Sequence, residues 1–536
     1  MLSKGVTGCV PSPVTVRDRA RTDRWTVVRR FARRSSHNHL NGNRLCPPDD
    51  RLLTGGPDGS DVRTGQWRVL WLAVTISGMS VARRTLLGAG LAAAASALTG
   101  CGATGAPNPG SAGPGDAATG KGATGSRAGF GPAGDAGPPL RAPDAPVGGN
   151  PPVREARYAQ DVTALLRRHL PATPQTVQHK GFPGAVALVL VGGKVTVHSA
   201  VGEALRYSAG PKLLAANQRV AMRRDSIFDL ASVSKVYTAI LLLQQVDKGR
   251  VDLGAPVRDY LPAFTGAGKE RITVEMLLTH TSGLPVGAKV TGLPDNAARW
   301  NAVLGAPLVS GAVPGKTFRY SSVGLMVAGK IVEKVTGQRL DQALKTNLTD
   351  PLGLRDTGFN PNGWLSAAAK ASRLVATDAR SSRGLLRGVV HDDVANHLGD
   401  IAGHAGIFAS ATDLAAIGQL LLNEGTHRGE RILAAATVRR MLTNHNAGKP
   451  AIDPERPNRT SAHGLGVVLD QSWFMGKLAS ARTFGHTGFA GPSLLVDPDR
   501  KLVLALLTNR AHPNWSWSNP DPIRAAVGDL LATKVN

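Results

Sequence analysis

Phe228-Asp229-Leu230-Ala231-Ser232-Val233-Ser234-Lys235 runs from a short strand-like apolar segment into a long helix-like one, Val236 to Gln245. Residues three apart on a helix share a face, so Ser232 and Lys235 point into one space. A serine and a lysine so placed can act as nucleophile and proton acceptor. Ser-x-x-Lys also arises often by chance, and the bland reading makes Ser232 a helix cap and Lys235 a surface side chain. The pair gains meaning only if the rest of the chain supplies partners for it.

Of 536 residues, 42% are hydrophobic and 19% charged, with 63 Gly and 35 Pro spread unevenly. The formal charge of +25 is dispersed, and the first 78 residues alone hold 13 Lys and Arg against 6 Asp and Glu. No basic stripe interleaved with aromatics appears, which argues against a nucleic-acid partner. A basic surface facing an anionic envelope is the milder reading. The three cysteines, Cys9, Cys46 and Cys101, all precede the globular part, which therefore has neither an internal disulfide nor a thiolate metal site.

Residues 1–78 are Arg-rich without periodicity and are expected to lie outside the working protein. Residues 79–101 read as an export signal: Met79 opens a basic region with the twin arginines Arg83-Arg84, then an Ala/Gly/Leu run to Leu98. Leu98-Thr99-Gly100-Cys101 closes it and resembles the lipobox of bacterial lipoproteins, which implies lipidation of Cys101. The alternative is an ordinary secretory signal with an incidental cysteine. Residues 102–153 are Gly, Ala, Pro, Ser and Thr with few large apolar side chains, a composition that makes a flexible tether.

Folded material is expected over 154–536. Ala156 to Leu170 has helical apolar spacing. Gly184 to Val191 and Lys194 to His198 read as two strands about a Gly192-Gly193 turn. Helices are expected over Arg271–Thr279, over Val323–Val335 ahead of Gly337, over Leu414–Leu422 capped from Ala411-Thr412-Asp413, and after Pro522. Strands return at Thr483–Gly488, Ser493–Val496 and Leu502–Leu507. Strands at both ends with helices between predict one α/β domain: a sheet with a helical insertion.

Two further stretches join the first, Phe318-Arg319-Tyr320-Ser321-Ser322-Val323-Gly324 ahead of a helix and Phe484-Gly485-His486-Thr487-Gly488-Phe489 on a late strand. The ordered set Ser-x-x-Lys, Tyr-Ser-x and His-Thr-Gly resembles the serine β-lactamase and penicillin-binding protein superfamily, nearest to class C β-lactamases and their esterase and D-amino-acid peptidase relatives. Accessory stretches fit too: Leu277 to Leu284 with His280, Pro314-Gly315, Gly403 to Ser410 with His404, and Leu507 to Arg510. The resemblance covers roughly residues 154–536. It implies a β-lactamase-like fold, an antiparallel sheet flanked by helices with a helical insertion. It also implies Ser232 as nucleophile, Lys235 and Tyr320 as proton carriers, and the backbone N–H groups of Ser232 and Phe489 as the oxyanion hole. His486, Thr487 and Gly488 would line the cleft, with no metal and no organic cofactor.

Two departures bear on substrate. Ser322 stands where the family commonly has Asn or Asp, and a serine holds a substrate amide less firmly. His486 replaces the Lys of Lys-Thr-Gly and removes a fixed carboxylate-binding charge. Both point toward an esterase or peptidase acting on a small-molecule or peptidoglycan-derived acyl group. The alternatives are a β-lactamase or D-Ala-D-Ala-type peptidase, and a non-catalytic penicillin-binding or wall-sensing lipoprotein. His391-Asp392-Asp393, His397 and His404 invite a metal reading, but no helical ligand spacing supports it, so they are read as loop or cleft wall. Trp515 and Trp517 are read as packing near the last helix, Arg439-Arg440 as a solvated face.

Overall fold

The computed structural model describes residues 151–453, 456 and 459–535. The export signal, Cys101 and nearly all of the tether lie outside the described residues. Among the described residues no helix is long and apolar enough to cross a membrane.

The sheet is built from strands β1 (Gly184–Val191), β2 (Lys194–Leu205), β3 (Val220–Ala221), β4 (Val468–Leu469), β5 (Phe484–Thr487), β6 (Ser493–Asp497) and β7 (Leu502–Thr508). Its order is β4-β5-β6-β7-β1-β2-β3, antiparallel at every pairing. β1 sits in the interior, paired to β7 from Ala185 opposite Thr508 to Val191 opposite Leu502. Helices cover both its faces, which is why its sequence is a continuous apolar run rather than an alternation. Gly192 and Gly193 both have positive φ, 56° and 74°, the geometry a two-residue hairpin needs.

Alternate residues of the strands feed two cores. Ala185, Ala187, Val189, Leu504 and Leu506 meet α1 (Ala159–Arg167) and α5 (Asp521–Lys534) on one face. Val186, Leu188, Val503 and Ala505 face the larger core, which contains α2 (Ser234–Asp247), α3 (Ser322–Thr336) and α4 (Ala411–Leu422). The β-lactamase-like architecture expected from the sequence is therefore present.

Boundaries differ where capping decides them. α4 takes in the expected cap residues Ala411 to Asp413 as its first turn, because the cap is Ser410, whose hydroxyl accepts the Asp413 N–H. The helix expected over Arg271–Thr279 is one turn, Val274–Leu278, capped by Thr273 and preceded by a 3₁₀ turn at Lys269–Arg271. α3 begins at the Ser321 cap and ends at Gly337, whose φ of 69° closes it.

Candidate active site

The nucleophile turn is held by backbone and one carboxylate. Phe228–Asp229 pairs with Ile407–Ala409, and the Leu230 N–H donates to Ile407 O at 2.9 Å. Asp229 is buried, with Oδ1 accepting the Ala231 N–H at 2.8 Å and Oδ2 the His391 N–H at 2.7 Å. Burial pushes its carboxyl up, against the pull of those two donors. Ala231 takes a φ of 47°, unusual for a residue with a Cβ, so the Asp229 bond holds a strained step next to the serine. Ser232 then lies in a 3₁₀ turn, Ala231–Val233, that leads directly into α2.

Lys235 is completely buried rather than a surface side chain. Its Nζ donates to Ser232 Oγ at 3.0 Å and to His404 O at 3.0 Å. His404 is itself fixed through Nε2, 2.9 Å from Asp392 Oδ1. Burial raises the Asp392 carboxyl, but the His404 charge and hydrogen bond, the Ala395 N–H and Lys235 outweigh it and hold the group below the usual range.

Tyr320 comes to this pair from the loop before α3. Lys235 Nζ stands 5.1 Å from the centroid of its ring. Ser321 caps α3 by accepting the Gly324 N–H at 3.0 Å and donates its hydroxyl to Pro285 O at 2.8 Å. Ser322 is the first residue of α3 and is buried, with its N–H on Val286 O at 3.3 Å.

β5 passes the nucleophile turn closely. A Cβ on Gly488 would lie 2.4 Å from Leu230 O, and the Gly488 N–H already donates to Pro492 O at 2.8 Å. Only a glycine lets the strand approach the serine, so Gly488→Ala must push one of them aside. Steady-state kinetics with a chromogenic ester should show kcat/KM down by tenfold or more, and urea melts a stability loss of about 1–3 kcal/mol. Phe489 follows, 45% exposed at the rim, beside the His391 and Trp515 rings at 5.6 Å each. Thr487 is half-buried and His486 buried.

His486 has company that the sequence does not reveal. The rings of His280, His463 and His486 bring nitrogens within 4.8 Å of one another, all three residues buried. Their tautomers follow from backbone partners, since a neutral imidazole has one donor and one acceptor. The Ser321 N–H donates to His280 Nδ1 at 3.1 Å, so His280 carries its proton on Nε2. His463 Nδ1 faces Gly464 O and His486 Nδ1 faces Thr487 O, both at 2.8 Å, so both are protonated there and present a bare Nε2. Among the described residues none of the three Nε2 atoms has a hydrogen-bond partner. Burial drives all three pKa values down, that of His463 to about 3, with Lys235 adding repulsion at His280 and His486. A divalent ion held by three imidazoles needs three lone pairs. This set offers two and an N–H, and so does not fit one as it stands.

The acid and histidine group at 391–404 is used differently from a metal site. Asp392 holds His404, Asp393 meets Arg383, and the His397 ring bonds the Asp393 carbonyl. Sequence reasoning missed Asp229, His463 and the His404 carbonyl. His280 stood in an accessory stretch without a role. Trp517 packs on His179 and Tyr207, whereas Trp515 reaches the rim beside Phe489.

Comparison with known proteins identifies the family and the fold. The model of the family described as Beta-lactamase matches residues 167–529. An N-acetylmuramyl-L-alanine amidase of Bacillus subtilis (strain 168) is 31% identical over 394 residues, covering 68% of this chain and 85% of the relative. Two solved structures share the fold. A penicillin-binding protein homolog from Caulobacter crescentus has a TM-score of 0.54 at 20% identity, covering 71% of this chain and 98% of its own. EstCE1, described as a hydrolase with promiscuous acyltransferase activity, has a TM-score of 0.51 at 23% identity, covering 69% and 98%. With the family model matched over more than half of its length, the chain belongs to the Beta-lactamase family and is a serine hydrolase of that fold.

Proposed function

We propose that the chain hydrolyses an ester or amide through an acyl-enzyme on Ser232. The observation that carries this reading is the buried Lys235, its Nζ 3.0 Å from Ser232 Oγ and beside the Tyr320 ring. Ser232 Oγ attacks the substrate carbonyl carbon while its proton passes to Lys235 Nζ. Tyr320 delivers a proton to the leaving oxygen or nitrogen as that bond breaks. The tetrahedral oxyanion is met by the backbone N–H groups of Ser232 and Phe489, donors typically worth about 3–4 kcal/mol each. Water then attacks the acyl carbon, with the same groups taking and returning its proton.

Buried and neutral at physiological pH, His486 brings no fixed charge to a substrate carboxylate. Together with the short Ser322 side chain, this favours an ester or a peptide-derived amide over a β-lactam or a free D-Ala-D-Ala terminus. The relative named as an amidase supports a peptidoglycan-derived acyl group. The twin arginines Arg83-Arg84 and Cys101 support export and a lipid anchor at the outer face of the cell membrane.

A fluorophosphonate should label the wild-type protein on the peptide containing Ser232, and Ser232→Ala should lose both the label and hydrolysis of a chromogenic ester. A chromogenic cephalosporin should turn over far more slowly than the ester. Hydrolysis undiminished in Ser232→Ala would refute the mechanism, and labelling without turnover would leave a binding protein.

A further inference from the structure

We propose that His280 is the positioning residue of Tyr320, a role that rests on reading Tyr320 as a proton carrier. His280 brackets the tyrosine from both sides along the chain. Its carbonyl accepts the Arg319 N–H at 2.8 Å, and its Nδ1 accepts the Ser321 N–H at 3.1 Å. Its ring lies against the phenol, centroid to centroid 4.6 Å with the planes at 39°. One residue thus fixes the Phe318–Arg319 and Tyr320–Ser321 peptide units on either side of Tyr320 and the face of its ring. The flanking turns add to the hold, because the Gly315 N–H bonds Thr281 O at 2.8 Å and the Ser321 hydroxyl bonds Pro285 O at 2.8 Å.

His280 is held at a cost. It is fully buried with a φ of 56°, a conformation that few side chains tolerate and Asn tolerates best. The clamp needs the tautomer with a bare Nδ1, since a proton there would set two donors against each other. The Ser321 N–H fixes that tautomer, and the bare Nε2 atoms of His463 and His486 are compatible with it, since ring nitrogens of the three residues lie within 4.8 Å of one another and only His280 then carries its proton on Nε2. The three histidines are therefore one neutral unit whose output is the placement of Tyr320.

The test uses His280→Phe, which keeps a ring but removes the acceptor, and His280→Asn, which restores an acceptor near Nδ1 and suits the backbone. With a chromogenic ester and the full chain, His280→Phe should lower kcat by about 30–100-fold with KM within about threefold, and His280→Asn should stay within about fivefold of wild type. Adding His280→Phe to Tyr320→Phe should cost little beyond Tyr320→Phe alone, because both remove the same contribution. Independent losses that multiply, equal damage in the Asn and Phe variants, or unchanged kcat in His280→Phe would overturn the proposal. Unchanged kcat in Tyr320→Phe would instead show that the proton-carrier reading is at fault, and the positioning role falls with it. Should His280→Phe not fold, ¹⁵N spectra of histidine-labelled wild-type protein decide. They should show His280 protonated on Nε2, and His463 and His486 on Nδ1. The opposite tautomer at His280, or stoichiometric Zn²⁺ binding that shifts all three rings, would refute it.

Discussion

Lys235→Met is expected to cut kcat/KM for ester hydrolysis by about a thousandfold or more while leaving the fold at least as stable as wild type. Loss of a positioned proton acceptor costs about 10²–10⁴-fold in rate, and here the proposed acceptor lies 3.0 Å from the attacking oxygen. The stability half of the expectation comes from the same geometry. Lys235 is completely buried, and its hydrogen-bond partners, Ser232 Oγ and His404 O, are both uncharged. Methionine fills a similar volume and needs neither partner, and replacing a buried polar group by a well-packed apolar side chain is often neutral or stabilising. Urea midpoints and kcat/KM measured side by side separate the two effects. A parallel fall in stability and rate would mean that Lys235 holds the fold together, and activity within tenfold of wild type would remove it from the chemistry.

Acid should unfold this protein early. Burial depresses the pKa values of His179, His198, His280, His463, His486 and His512, those of His179 and His198 to about 4 and those of His463 and His512 to about 3. Each folded value lies below the ordinary 6.5, so the unfolded chain binds more protons than the folded one as pH falls. The stability these groups contribute is fully present above pH 6.5 and drains away below it, toward the folded pKa values. A fully buried histidine such as His463 loses about 2–3 kcal/mol by pH 4.5. Several such groups acting together are comparable with the typical net stability of a domain, about 5–15 kcal/mol. Thermal melts between pH 7.5 and 4.5 should therefore show the melting temperature falling steeply below pH 6.5, with acid unfolding complete before pH 4.5. His463→Gln should flatten that slope. A melting temperature level from pH 7 to 5 would contradict the assignment.

Much of the candidate site was legible because it sits at the ends of regular elements with local signatures. Ser232 and Lys235 flank the start of an apolar helix, Tyr320 precedes a Ser-capped one, and His486 lies in a strand whose next glycine must be small. The apolar run of β1 was legible as a strand, and its burial on both faces is what the structure adds. What stayed hidden depends on contacts between distant segments. His280, His463 and His486 are separated by up to about two hundred residues, and nothing local distinguishes a buried bonded histidine from any other. Ala231 adopts a left-handed step without the glycine that usually marks one, because a carboxylate two residues earlier holds its N–H. The helix expected at 271–279 shrank to one turn for a related reason: its end turns back at His280 to embrace Tyr320.

The interior pairing of β1 with β7 joins segments more than three hundred residues apart. Closing so long a loop is entropically expensive, and sheets dominated by such pairings form slowly. Until residues 502–508 arrive, β1 and β2 form a hairpin with two apolar faces and one naked edge. The turn that carries Ser232 and Lys235 comes in the first part of the fold, but β5, the strand that must lie against it, comes only with the late strands of the sheet. The emerging polypeptide thus carries its reactive serine long before it can use it, and the latest strands to join the sheet complete both the fold and the site.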